Sequence, residues 1–147
     1  MNILVVHGPN LNLLGSREPE VYGHATLDEI DAHLAEIAAA GGHGVTSYQS
    51  NHEGELIDRL HTARGEVDGA LLNPGAYGHT SIALRDAVAA VDYPVVEVHL
   101  SNVFAREPFR ASSMISAVCL GVVSGFGPRS YETALRALLA HLTKEGT

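Results

Sequence analysis

Five short apolar runs, each separated from the next by a stretch of helical periodicity or loop, constrain this chain more than any other feature. They are Ile3–Val6, Val45–Gln49, Val67–Leu72, Val95–His99 (opened by Pro94) and Ala117–Ser124. Each has strand length, and strands alternating with helical patterns indicate parallel βαβ units. Thr26-Leu-Asp-Glu29 reads as a capping box ahead of one apolar stripe, Leu27, Ile30, Leu34, Ile37 and Ala38. Gly41-Gly42 ends that helix. Ser50-x-x-Glu53 reads as a second box before Leu56, Ile57, Leu60 and Ala63, with Arg64-Gly65 as the stop. A third helix starts near Thr80 or Ser81 with Ile82, Ala83, Ala87 and Val91 on one side. Pro108 can start a short helical turn, and Ser130 can cap a last helix carrying Ala134, Leu135, Leu138, Leu139 and Leu142.

Right-handed crossovers restrict how such units assemble. The expectation is an α/β, flavodoxin-like three-layer sandwich: a five-stranded parallel sheet, order 2-1-3-4-5, with helices on both faces. At 147 residues the chain, 1–147, reads as a single domain. Ligands of such sheets bind beyond the carboxyl ends of the strands, and the residues there are distinctive. Strand one runs into a long loop, His7 to Gly23, which carries Asn10, Arg17 and Tyr22. Strand three delivers Asn73, Gly75 and His79. Strand four delivers Glu97, His99 and Ser101, then Arg106 and Arg110.

A loop of that length is usually functional or disordered, and Leu11, Leu13, Leu14, Val21 and Tyr22 argue against disorder. The arginines suit a carboxylate or phosphate. Period two puts Glu97 and His99 on one strand face, so the acid can orient the imidazole. An asparagine beside glycine is commonly just a turn residue, and a lone loop tyrosine is more often packing than a base. His24, His33, His43, His52, His61 and His141 read as surface residues.

Composition excludes several classes. A net charge of −8 argues against nucleic acid. No run is long enough for a membrane span, and the N-terminus lacks the basic region of a signal peptide, so a cytoplasmic protein is expected. Cys119 stands alone in an apolar run and reads as a buried thiol. Gly8-Pro9-Asn10 lacks the lysine of a P-loop and the spacing of a dinucleotide fingerprint, which weakens a nucleotide or flavin reading.

Three blocks, GPNLNLLGSREPEVYG, LNPGAYGHTSIALRDA and VEVHLSNVFAREPFR, resemble the signatures of type II 3-dehydroquinate dehydratases, the type II dehydroquinases. The similarity covers nearly the whole chain. It implies a flavodoxin-like fold, a dodecamer built as a tetramer of trimers, and dehydration of 3-dehydroquinate to 3-dehydroshikimate through an enolate, in the shikimate pathway that leads to chorismate and the aromatic amino acids. No cofactor or metal is implied. The resemblance makes Tyr22 the base, Arg17 the group favouring its phenolate, Asn10 the holder of a water on the enolate, and His99 the general acid. It assigns substrate binding to Asn73, His79, the Leu100-Ser101 backbone and Arg110. Asp86 resembles a residue that reaches a neighbouring subunit's site. Arg17 to Tyr22 resembles a mobile lid, which Arg106 helps to close. Gly78 stands where the family often has Thr, a change expected to loosen the turn. His7 stands where many members have Asn, and no role is assigned to it.

The chemistry agrees with these roles. Free tyrosine has a pKa of about 10, so a tyrosine base needs a nearby positive charge. An enolate needs positioned donors, and histidine suits proton delivery near neutrality. The only lysine is Lys144, so the imine mechanism of the unrelated dehydroquinase class has no internal lysine. Two other readings are a metal-dependent hydrolase built on His7, His79 and His99, and a non-catalytic flavodoxin-like binding module.

Overall fold

Strand β1 (Asn2–His7) is the axis of the architecture, pairing in parallel with β2 (Gly44–Gln49) on one side and β3 (Gly69–Asn73) on the other. Strands β4 (Val95–His99) and β5 (Gly121–Ser124) complete a five-stranded parallel sheet of order 2-1-3-4-5. The structure is a computed structural model describing residues 1–145. Alternation along β1 divides the core. Ile3 and Val5 face one layer with α2 (Leu27–Ala40) and α5 (Arg129–Glu145), through Ile30, Leu34, Leu135 and Leu138. Leu4 and Val6 face the other, with α3 (Glu53–Thr62) and α4 (Ile82–Ala90), through Leu56, Leu60, Leu84 and Val88. The expected three-layer α/β sandwich is therefore observed. Among the described residues no helix is long and apolar enough to cross a membrane.

The helix starts show where local chemistry decides. Thr26 caps α2, its hydroxyl accepting from Glu29 N at 3.2 Å. Ser81 caps α4 in the same way, from Leu84 N at 2.8 Å. Ser50 does not cap α3: the residue before that helix is His52, and the Ser50 hydroxyl instead donates to Glu55 and accepts from His52 N. Ser130 lies inside α5 and accepts from Phe126 N at 2.9 Å, tying down the preceding turn. The buried stripe of α4 is Leu84, Ala87 and Val88, whereas Ile82 is 60% exposed. The expected stripe is thus rotated, because Ser81 sets the start of the helix and turns Ile82 outward.

Two strands are shorter than expected. Glu66 and Val67 return their N–H groups to Ala63 and extend the end of α3, so β3 starts at Gly69. Residues Ser116–Val118 form a 3-10 turn, and β5 starts at Gly121, opposite Val96. Ser116 is held there by its bond to Glu97. Pro108 does start a helical turn, Pro108–Ala111.

Candidate active site

Three loops meet above the carboxyl ends of β1, β3 and β4. The first two touch at Gly8, whose N–H donates to Asn73 O at 2.8 Å. A Cβ on Gly8 would stand 2.6 Å from Pro74 O, so only glycine allows this approach. The cleft above encloses about 560 Å³, solvent mouth included. Asn10, Arg17, Tyr22, Asn73, His79, His99, Leu100, Ser101, Arg106 and Arg110 all line it. The exception among the expected site residues is Asp86, which is exposed on α4 and does not line the cleft of its own chain.

The long loop is ordered by its own backbone. Asn10 takes the left-handed conformation (φ 67°), which asparagine tolerates, and its side chain makes no capping bond. Glu18, also left-handed at φ 39°, precedes one helical turn, α1 (Pro19–Tyr22). Glutamate is disfavoured there, and strain of this kind gathers at ligand clamps and switch regions. The turn lays Tyr22 half-buried against the core that includes Leu11 and Leu14. The Arg17 and Arg106 guanidinium carbons stand 5.0 and 5.2 Å from its ring centroid. Arg106 also donates to Ser101 Oγ at 3.2 Å, and thereby links the Tyr22 turn to the segment just after β4.

Opposite stands a buried pair. His99 Nε2 lies 2.5 Å from Glu97 Oε2, and Glu97 is 1% exposed. Ser113 and Ser116 donate to the same carboxylate. Burial alone would raise the Glu97 carboxyl, but the bonds from His99, Ser116 and Ser113 outweigh it and hold it below the usual carboxylate range. Glu97 is therefore an anion that fixes Nε2 of His99 and leaves Nδ1 for the cleft. The two serines escaped sequence reasoning because the segment holding them has no strand or helix period. Cys119, half-buried, has its thiol pushed up to about 12 by burial and then by Glu97, as befits an inert structural cysteine.

His79 bonds through Nδ1 to Ser112 O at 2.7 Å, stacks at 6.4 Å from the His99 ring and leaves Nε2 for a ligand. Arg110 meets Glu107 at 2.6 Å and lies over Phe109, so an incoming anion competes with Glu107 for it. Gly78 corrects the expectation of a loosened turn. It is buried, a Cβ there would stand 2.7 Å from Pro74 Cγ, and its carbonyl accepts from Met114 N. The turn is tight because glycine lets the proline ring close over it. Gly78→Ala is expected to cost about 1–3 kcal/mol, read as a lower denaturant midpoint.

His7 does not join the other histidines. It is fully buried below the cleft, with both ring nitrogens engaged by Tyr131 and Asp31. The histidine set of a metal-dependent hydrolase is therefore not assembled. Among the described residues no group of three or more His, Cys, Asp or Glu could hold a metal ion.

The fold and cleft together define an α/β protein equipped for acid–base chemistry on a small anion: a tyrosine between two arginines facing a carboxylate-backed histidine. Comparison with known proteins narrows this further. The family model described as Dehydroquinase class II matches residues 1–139. A 3-dehydroquinate dehydratase from a Nostoc species is 58% identical over 142 residues, 97% of each chain. One from Ruegeria pomeroyi is 56% identical over 145 residues, 99% of this chain and 97% of its own. The crystal structure of type II dehydroquinase from Butyrivibrio crossotus superposes with a TM-score of 0.93 at 43% identity, covering 95% of this chain and 97% of that one. The chain belongs to the class II dehydroquinase family.

Proposed function

We propose that this chain eliminates water from 3-dehydroquinate to give 3-dehydroshikimate, through an enolate and without cofactor or metal, as a cytoplasmic step of the shikimate pathway. The observation that carries the reading is the pairing across one cleft of Tyr22, flanked by Arg17 and Arg106, with the Glu97-backed His99. Tyr22 takes the proton beside the ketone as a phenolate next to two positive charges. Asn10, whose side chain makes no capping bond, holds a water on the enolate oxygen. When the enolate collapses, the C–O bond breaks and His99 Nδ1–H protonates the departing hydroxyl. Tyr22 is then protonated and His99 has lost its proton, so one proton must return through solvent before the next turnover. Asn73, His79, the Leu100-Ser101 backbone and Arg110 bind the substrate's hydroxyls and carboxylate. The lid, Arg17 to Tyr22 with Arg106, opens for exchange of substrate and product.

The product is a conjugated acid and absorbs in the ultraviolet where the substrate does not. Rising absorbance on mixing the chain with 3-dehydroquinate is expected, and a flat trace under native conditions would reject the reading.

We further propose a homododecamer in which Asp86 completes a neighbour's site. Ile82 and Asp86 lie one helical turn apart on the exposed side of α4. Phe104, Val122 and Phe126 are exposed on and beside the edge strand β5. Light scattering should return twelve times the 15.5 kDa chain mass. A monomer of full activity would remove Asp86 from the site.

A further inference from the structure

We propose that Asp31, His7 and Tyr131 form a positioning relay that fixes which way the Asn73 amide faces and so presents one Asn73 N–H to the substrate. The inference rests on the dehydration reading above for its kinetic test, but its geometry stands apart from it.

The direction of each hydrogen bond can be deduced in turn. Gly75 N–H can only donate, and it meets Asn73 Oδ1 at 3.1 Å. The amide nitrogen of Asn73 therefore faces Tyr131 Oη, at 3.0 Å. An amide nitrogen only donates, so the phenol oxygen accepts there and its own proton must go elsewhere. The remaining partner is His7 Nδ1, at 2.8 Å. That nitrogen must be a bare acceptor, which places the ring proton on Nε2, 2.7 Å from Asp31 Oδ1. Any other assignment either sets a donor against a donor or leaves the buried Tyr131 O–H without an acceptor. Every buried side-chain nitrogen and oxygen among the described residues has a partner, and this assignment gives each contact of the relay one donor and one acceptor.

The relay joins three elements beneath the cleft: α2 through Asp31, β1 through His7 and α5 through Tyr131. His7 and Tyr131 are fully buried, Asn73 is 3% exposed, and only the Asp31 carboxylate reaches solvent. Burial pushes the Tyr131 phenol far above its ordinary range, so it remains an O–H donor. Reversal of the His7 tautomer would turn a donor on Tyr131 and force the Asn73 amide to flip against Gly75. With Oδ1 on Gly75 and one N–H on Tyr131, the second N–H of Asn73 is left for a substrate oxygen at the cleft floor. A partly exposed carboxylate on α2 thereby joins the Gly75 N–H in holding the polarity of a substrate-binding group it never touches.

Two variants at Asp31 test this. Asp31→Leu removes the acceptor, while Asp31→Asn keeps an oxygen there. Asp31→Leu should raise KM for 3-dehydroquinate about tenfold, one lost hydrogen bond, with little change in kcat. Asp31→Asn should keep the original KM. Long-range ¹H–¹⁵N spectra of histidine-labelled protein without substrate, with His7 assigned through His7→Gln, should show a bare Nδ1 in the unsubstituted chain and in Asp31→Asn, but not in Asp31→Leu. A protonated Nδ1 in the unsubstituted chain would overturn the relay. So would an unchanged KM in Asp31→Leu, or equal loss in both variants, the pattern of a merely structural residue. If the unsubstituted chain fails to turn over 3-dehydroquinate, the dehydration reading fails, and the His7 tautomer and its response to Asp31→Leu decide the relay.

Discussion

Tyr22→Phe is expected to lower kcat for 3-dehydroquinate by about 10²–10⁴-fold, the range of a general base. The fold should be untouched. The ring keeps its place against the core layer that includes Leu11 and Leu14, and both guanidinium groups keep an aromatic face, since phenylalanine also supports cation–π contact. Only the oxygen that accepts the proton is lost. KM should therefore move far less than kcat, and the melting temperature should stay within a degree or two. Steady-state kinetics beside a thermal melt decides. Retained turnover would remove Tyr22 from the base role and leave His99 or His79 to be tested in its place.

The same site shows why a tyrosine is credible here. Tyr93 and Tyr131 are also tyrosines of the core. Burial pushes Tyr93 up to about 12 and Tyr131 further. Their oxygens bond to Leu60 O, and to Asn73 and His7. Neither can reach substrate. Tyr22 alone among these three lines the cleft and has two arginines against its ring.

What the chain disclosed in advance follows from how local each feature is. The strand order and the two core layers rest on period-two and helical patterns that individual residues report directly, so β4 was readable to the residue from Pro94 to His99. The cleft was readable because the carboxyl ends of parallel strands fall on one side, which gathers Asn10, Asn73 and His99 from distant points of the chain. Features set by tertiary bonds were hidden. Ser50 has the spacing of a cap, but its hydroxyl is taken by Glu55. Ser116 directly precedes an apolar run, yet its bond to Glu97 accompanies a 3-10 turn that takes Ala117 and Val118 out of the strand. Gly78 looked like a loss of stiffness because nothing in sequence shows that the Pro74 ring occupies the space of a side chain. His7 had no legible role because Asp31 and Tyr131 are 24 and 124 positions away.

Glu97→Gln is the second large effect expected, and it separates charge from shape. The amide oxygen can still accept from His99 Nε2, and the Ser113 and Ser116 hydroxyls can rotate to accept from the amide nitrogen. Removing the anion leaves the imidazolium without its compensating charge, and kcat should fall on the order of 10²-fold. Stability should respond at the other end of the scale. The folded Glu97 carboxyl lies below its ordinary value. A group depressed in this way stabilises the fold fully above its unfolded pKa of about 4.3, and loses that contribution as pH falls through the folded value. Denaturant unfolding of the unsubstituted chain should therefore weaken as pH drops below that range, and Glu97→Gln should flatten this acid slope. A variant with the original kcat and the original acid slope would show that the buried anion serves neither His99 nor the fold. The remaining role for Glu97 would then be to hold Ser113 and Ser116, which a glutamine does as well.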